Sequence, residues 1–158
     1  NDATKIKSYM EKLQSTGCYQ VDEVTLKAIQ ETFSAGYLDD NATKKCIHDI
    51  YQQDNYVADT HTAVAWQVAQ DYQKSTQDKT PMVVLSTASP YKFSDSVLSA
   101  LGEDISDKDE FALLDKLSTL NKDKIPQGLA QLQSLPILHN NLCAKEDMIK
   151  AVNTFLNI

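Results

Sequence analysis

Val83-Val84-Leu85-Ser86-Thr87-Ala88-Ser89-Pro90-Tyr91-Lys92-Phe93 is the stretch on which the reading of this chain turns. An apolar run, opened by Pro81 and Met82, stops at two hydroxyls, a small residue, a third hydroxyl and a proline. The run Met82 to Leu85 predicts a buried strand. The chain then restarts as Phe93-Ser94-Asp95-Ser96-Val97-Leu98, which predicts a helix with Ser94 at the N-cap and Phe93 and Leu98 as a hydrophobic staple. A buried strand that ends in a hydroxyl-rich turn feeding a helix is where open α/β sheets place their ligands.

Working upstream, the polar run from Lys74 to Thr80 predicts a surface loop. Before it, Asp59 or Thr60 starts a helix with Val64, Val68 and Tyr72 on one side, preceded by a short extended segment, Tyr56-Val57-Ala58. Asp39 or Asp40 caps a helix whose apolar face is Cys46, Ile47, Ile50 and Tyr51. Asp22 caps another, with Leu26, Ile29 and Phe33 as its buried face, and Tyr19-Gln20-Val21 before it reads as extended. Residues ~5–15 carry Ile6, Met10 and Leu13 at helical spacing, with Gly17 as terminator.

Downstream, from about residue 103 to 158, the chain reads as a mainly helical, more acidic tail. Ser106 with Asp109 has the form of a capping box before Phe111, Leu114 and Leu117. Pro126 suits a first helical turn ahead of Leu129 and Leu132, Pro136-Ile137-Leu138 reads as extended, and a last helix from Lys145 to Leu156 presents Met148, Val152 and Phe155 or Leu156. The expected fold class is therefore α/β, a single unit over residues 1–158 in which short strands alternate with helices. One strong strand in 158 residues is few for an independent sheet, so the sheet it joins is expected to lie partly outside this sequence.

Composition narrows the function classes. Apolar content of 42% and charged content of 23% are ordinary for a globular chain. A net charge of -7 argues against nucleic-acid or anionic-membrane partners, which select basic surfaces. All 15 basic residues are lysines, so the bidentate phosphate and carboxylate capture that arginine performs is absent from this chain. Cys18, Cys46 and Cys143 form no metal-ligand spacing and no disulfide framework, which predicts reduced, mostly buried thiols, no metal site and a cytoplasmic protein. No apolar run approaches the ~20 residues of a membrane helix. The first residue is Asn1 rather than methionine, which suits an excised or processed chain.

The pattern Leu85-Ser86-Thr87-Ala88-Ser89-Pro90-Tyr91-Lys92-Phe93 closely resembles the C-terminal motif of threonine synthase, and Asp59-Thr60-His61-Thr62-Ala63-Val64-Ala65 resembles that family's other late motif, in the right order and at the right short distance. The resemblance is loose at first, strong from Tyr56 to Phe93 and weaker through the tail. It implies the C-terminal part of a fold type II pyridoxal-phosphate enzyme, a lyase that makes threonine and phosphate from O-phosphohomoserine and water. It also implies that Thr87 donates a hydrogen bond to the pyridine nitrogen of the cofactor, with Ser86, one residue away, as the alternative donor. A neutral hydroxyl cannot hold that nitrogen protonated as an aspartate would. His61, Ser89 and Lys92 are the implied candidates for the substrate-pocket wall, Lys92 as a point charge for a phosphate. His48 and His139 carry no partner pattern and read as surface residues.

Two elements that the family requires do not occur here. None of the lysines sits in the Phe-Lys-Asp context of the Schiff-base lysine, and the four glycines form no phosphate-binding loop. The resemblance thus implies that the fragment alone is inactive and that its partner is the missing N-terminal part of the same chain. The sequence departs from the family pattern at Ser89, where a histidine is frequent, and at Thr60, where proline or glutamate is. Two rival readings remain: another enzyme of the same cofactor fold, such as a serine/threonine dehydratase, and a non-catalytic α/β binding domain with a purely structural turn.

Overall fold

Aspartates decide where the first four helices begin. In each case a carboxylate on an extended residue accepts a backbone N–H that the first helical turn leaves without a partner. Asp2 accepts from Lys5 N (3.0 Å) ahead of α1 (Ala3–Thr16), and Asp22 from Thr25 N (2.9 Å) ahead of α2 (Glu23–Gln30). Asp39 accepts from Ala42 N (2.7 Å) ahead of α3 (Asp40–Asp54), and Asp59 from His61 N (2.9 Å) ahead of α4 (Thr60–Thr76). Gly17 ends α1 as expected: it adopts φ 77°, which costs glycine little, and its N–H bonds Leu13 O at 2.9 Å.

The structure, a computed structural model, describes residues 2–106 and 109–158. A 3-10 turn at Pro90–Phe93 leads directly into α5 (Ser94–Ala100), followed by α6 (Glu110–Leu120), the short α7 (Gln127–Ala130), 3-10 turns at Leu132–Ser134 and Lys145–Asp147, and α8 (Met148–Leu156). The core lies where α3 packs on α4 and α5, and α5 on α6. Cys46, Ile47 and Ile50 of α3, Ala63 of α4, Val97 and Leu98 of α5, and Leu113, Leu114 and Leu117 of α6 fill it, closed by Val57, Ala58 and Tyr91. The α3 face is the one its periodicity predicts.

The expected alternation of strands and helices is not present. Among the described residues there is no strand: Tyr19–Val21, Tyr56–Ala58, Met82–Leu85 and Pro136–Leu138 all lie outside regular structure. A strand exists only when a neighbour takes up its N–H and C=O groups, and no backbone–backbone hydrogen bond reaches residues 81–88 among the described residues. Val83 and Leu85 are 85% and 70% exposed, so the run predicted to be buried is bare. The described elements are helices and turns.

Other expectations shift locally. Ser94 is the first residue of α5 and donates from Oγ to Tyr91 O (3.0 Å), while the capping role belongs to Ser89, whose Oγ accepts Tyr91 N (3.3 Å). Proline at the next position fixes that turn. Asp109 caps α6 by accepting Phe111 N (3.0 Å), whereas Ser106 turns to Asp104 (2.9 and 3.0 Å). Pro126 lies just before α7 rather than within its first turn. The Leu26–Ile29 face of α2 is exposed, and Phe33 lies beyond the helix. Instead α1 and α2 are joined through polar groups: Lys5 pairs with Asp22, Tyr9 Oη donates to Asp22 Oδ2 (3.1 Å), and Tyr9 stacks on Tyr19 at 5.2 Å. Of the cysteines only Cys46 is buried, its thiol donating to Ala63 O (3.3 Å) and pushed up in pKa first by that burial. From Gln131 onward every residue is exposed, including the apolar face of α8.

Three outcomes follow from this packing. Leu117 is fully buried, so Leu117→Ala should cost about 2–5 kcal/mol in denaturant unfolding, while Phe155→Ala on exposed α8 should shift it by less than about 0.5 kcal/mol. A Cβ added at Gly36 would meet Val68 Cγ1 at 2.9 Å, against a stiff side chain; Gly36→Ala should therefore destabilise by about 1–3 kcal/mol, and Val68→Ala in the same chain should recover part of the loss. The Lys5 ammonium, then the Thr25 amide, hold the Asp22 carboxyl well below its ordinary value of 3.8. A depressed carboxyl stabilises above its unfolded pKa and loses that contribution as pH falls through the folded value. The Tyr9 and Tyr19 ring resonances should thus stay constant down to about pH 4 and move below it, and Asp22→Asn should move them at neutral pH.

Candidate functional site

The two sequence motifs meet at the start of α4. Asp59 is 1% exposed, and its burial is supported by three donors: His61 N (2.9 Å) and Thr62 N (3.2 Å) on Oδ1, and the Thr62 hydroxyl on Oδ2. The carboxylate also sits at a helix N-terminus, where negative charge is favoured. The Thr62 hydroxyl is in turn 3.3 Å from Ser86 Oγ, and Tyr56 Oη is 3.4 Å from the same oxygen. One residue before Thr62, the His61 ring lies on Phe93, with centroids 5.1 Å apart and planes tilted by 46°. Residues from both ends of the hydroxyl-rich turn therefore touch the first turn of α4.

Each candidate residue takes a distinct place around this junction. Ser86 is bonded into it. Thr87 is exposed and makes no hydrogen bond among the described residues, so its hydroxyl is open to an outside partner. His61 is exposed, its Nδ1 3.3 Å from Thr60 Oγ1 and 3.5 Å from Asp59 Oδ1, which leaves Nε2 open among the described residues. Ser89 is turned back on its own 3-10 turn as a cap. Lys92 is exposed and faces a different groove, of about 810 Å³, shared with Phe93, Asp95, Glu110 and Phe111. The structure thus brings His61 and Ser86 to one junction, sets Thr87 beside it in sequence, and assigns Ser89 and Lys92 elsewhere.

A cavity of about 240 Å³ opens at the junction, walled by Tyr56, Thr62, Trp66, Val84 and Ser86 among others. No lysine lines it among the described residues. Asp59 and Thr62 lie within the second motif but are not among the candidate site residues of the sequence, and Tyr56 lies outside both motifs. The Asp59-x-x-Thr62 spacing is a capping pattern and carried a signal; Tyr56 carried none, because its contact with Ser86 spans 30 residues. Among the described residues no cluster of His, Cys, Asp and Glu has the makings of a metal site, and no helix is long and apolar enough to cross a membrane.

Residues 62–152 match the family model described as threonine synthase, C-terminal, more than half of the chain. The threonine synthase-like 1 protein of Macaca fascicularis is 32% identical over 144 residues, 89% of this chain and 17% of that protein. The threonine synthase of Saccharomyces cerevisiae is 30% identical over 139 residues, 82% of this chain and 24% of that one. The crystal structure of pyridoxal-phosphate-bound threonine synthase from Brucella melitensis superposes with a TM-score of 0.66 at 28% identity, over 98% of this chain and 28% of that chain. The chain therefore spans between about a sixth and a quarter of the length of the curated relatives it matches. The family model covers more than half of the chain, so this chain is a member of the threonine synthase C-terminal family.

Proposed function

We propose that this chain is the C-terminal part of a threonine synthase, which converts O-phosphohomoserine and water to threonine and phosphate with pyridoxal phosphate. The observation that carries the reading is the junction itself: Thr62 on Ser86 and His61 on Phe93 join the two family motifs, with an open hydroxyl at Thr87 beside them. The residues present fit one end of the cofactor. Thr87 is an unengaged neutral donor, the kind of group that bonds a pyridine nitrogen without fixing a proton on it. When bound, pyridoxal phosphate supplies the electron sink for proton removal from the substrate carbons. This chain's part is to orient and to wall: Thr87 fixes the ring edge, His61 offers Nε2 at the start of α4, and Tyr56, Trp66 and Val84 line the cavity on that side.

Ser89, Lys92 and the rest of the pocket are assigned to the substrate side only through the family, Lys92 as the cation best suited to a phosphate. The fragment alone is silent in this reading, because the Schiff-base lysine and the phosphate loop come from the remainder of the chain. That remainder is also the partner for the exposed run Met82–Leu85 and for the apolar face of α8. The free thiols of Cys18, Cys46 and Cys143 suit a cytoplasmic enzyme, and the net charge of -7 on this chain argues against nucleic-acid or anionic-membrane partners.

The test is made in the full-length enzyme. Thr87→Val keeps the shape and removes the donor; losing one neutral bond at about 1–3 kcal/mol lowers cofactor affinity or turnover by roughly five- to 150-fold. Thr87→Ser should restore most of the loss, and Thr87→Asp should shift the cofactor absorbance, since a carboxylate favours the protonated ring. Wild-type affinity and turnover in Thr87→Val would end the assignment, as would phosphate release from O-phosphohomoserine by the 158-residue chain alone.

A further inference from the structure

Residues 81–88 carry Thr87, yet they have almost nothing to hold them. They form no regular element, and no backbone–backbone hydrogen bond involves them among the described residues. The neighbouring ties lie outside the segment: Gln73 Nε2 donates to Thr80 O (2.9 Å) on one side, and Ser89 caps the 3-10 turn on the other. Between these points, among the described residues, the hydrogen bonds to the rest of the molecule all pass through one atom, Ser86 Oγ, which meets Thr62 Oγ1 and Tyr56 Oη.

We propose that Ser86 is a positioning residue rather than a second cofactor donor, and that Asp59, Thr62 and Tyr56 form the device that holds it and thereby sets the place of Thr87. Asp59 is the fixed point, a buried carboxylate that cannot move without exposing or stranding its charge. It fixes the rotamer of Thr62 through the hydroxyl bond and the N–H bond of the same residue. Thr62 then presents its oxygen to Ser86 from one side, and Tyr56 from the other. With both sides occupied, the Ser86 hydroxyl is engaged within the protein, whereas the adjacent Thr87 hydroxyl is not. Anchoring Ser86 fixes the backbone on the N-terminal side of Thr87 and so limits where the Thr87 hydroxyl can stand. The reading of Thr87 as a cofactor donor is taken from the proposed function; the anchoring of the segment stands on the contacts alone.

The single tryptophan of the chain, Trp66, lines the cavity against Val84 and Ser86 and reports directly on whether the segment is seated. Acrylamide quenching of Trp66 in the 158-residue chain should rise about twofold or more in Ser86→Ala and Thr62→Val. It should stay at the wild-type value in Thr62→Ser, which keeps the hydroxyl, and in Thr87→Val, which leaves the anchor intact. Because Ser86 is exposed, Ser86→Ala cannot act by unfolding the core, and far-ultraviolet circular dichroism checks the same for Thr62→Val. In the full-length enzyme, Ser86→Ala and Thr62→Val should weaken pyridoxal-phosphate binding read by its absorbance, with Thr62→Ser close to wild type. Unchanged Trp66 quenching in both Ser86→Ala and Thr62→Val overturns the anchoring. Altered quenching together with a wild-type enzyme that shows no cofactor absorbance leaves the anchor standing and removes the cofactor reading instead.

Discussion

A carboxylate out of contact with water has to be compensated in place, and in this chain that requirement falls on Asp59. The two residues before it, Val57 and Ala58, are buried in the core, and Asp59 follows them inward at 1% exposure. Three donors and the N-terminus of α4 repay the lost hydration, and all three donors belong to the next three residues. The bend into α4 is therefore determined by a charge that has no other acceptable position. Its consequences extend past the helix, because Thr62 serves the cap with one lone hydrogen and presents the same oxygen to Ser86. A local capping motif thus becomes a long-range one.

On the far side of the junction a second set of constraints holds the turn that follows. Tyr91 is buried, and its hydroxyl donates to Asp123 O at 2.6 Å, tying the 3-10 turn to the segment after α6. Burial is also the first cause that raises the Tyr91 pKa, which keeps the phenol neutral and a donor. Ser94 bonds back to Tyr91 O, and Val97 and Leu98 are fully buried one turn later. The turn is clamped, and the segment before it is suspended from one hydroxyl. A rigid frame with a sparsely tied stretch carrying the open hydroxyl is the usual division of labour between scaffold and binding loop.

How much of this was legible in the sequence depends on the range of the interaction. The helix start at Asp22 and the stop at Gly17 were readable, and the starts at Asp39 and Asp59 to within one residue, because donor and acceptor lie within three or four residues. The α3 face was readable because its apolar spacing is regular and the surrounding helices cover it. Ser94 was misread in detail because Ser89-Pro90 starts a 3-10 turn earlier, and two overlapping capping signals cannot be ranked from sequence. Met82–Leu85 marks the limit. Its residues have every local attribute of a strand, but a ladder is a relation between segments, and no partner segment is present among the described residues. The Tyr56–Ser86 contact was invisible for the same reason.

That limit bears on what the exposed apolar surface means. Scattered exposed apolar side chains are normal, whereas a contiguous run such as Met82, Val83 and Leu85, together with a helix face of Met148, Val152 and Phe155, is the mark of a contact surface. Both lie in a chain whose family relatives are four to six times as long as the part it matches. On the proposed reading the two facts explain each other: a run with strand-forming residues stays unpaired because the sheet it would join belongs to the remainder of the enzyme. The same pairing would supply backbone bonds to residues 81–85 and leave Ser86 at the end of the ladder. There the strand geometry stops and the side-chain anchor takes over. The position of Thr87 would then be fixed from both directions, by the sheet behind it and by Asp59 through Thr62 and Ser86 beside it.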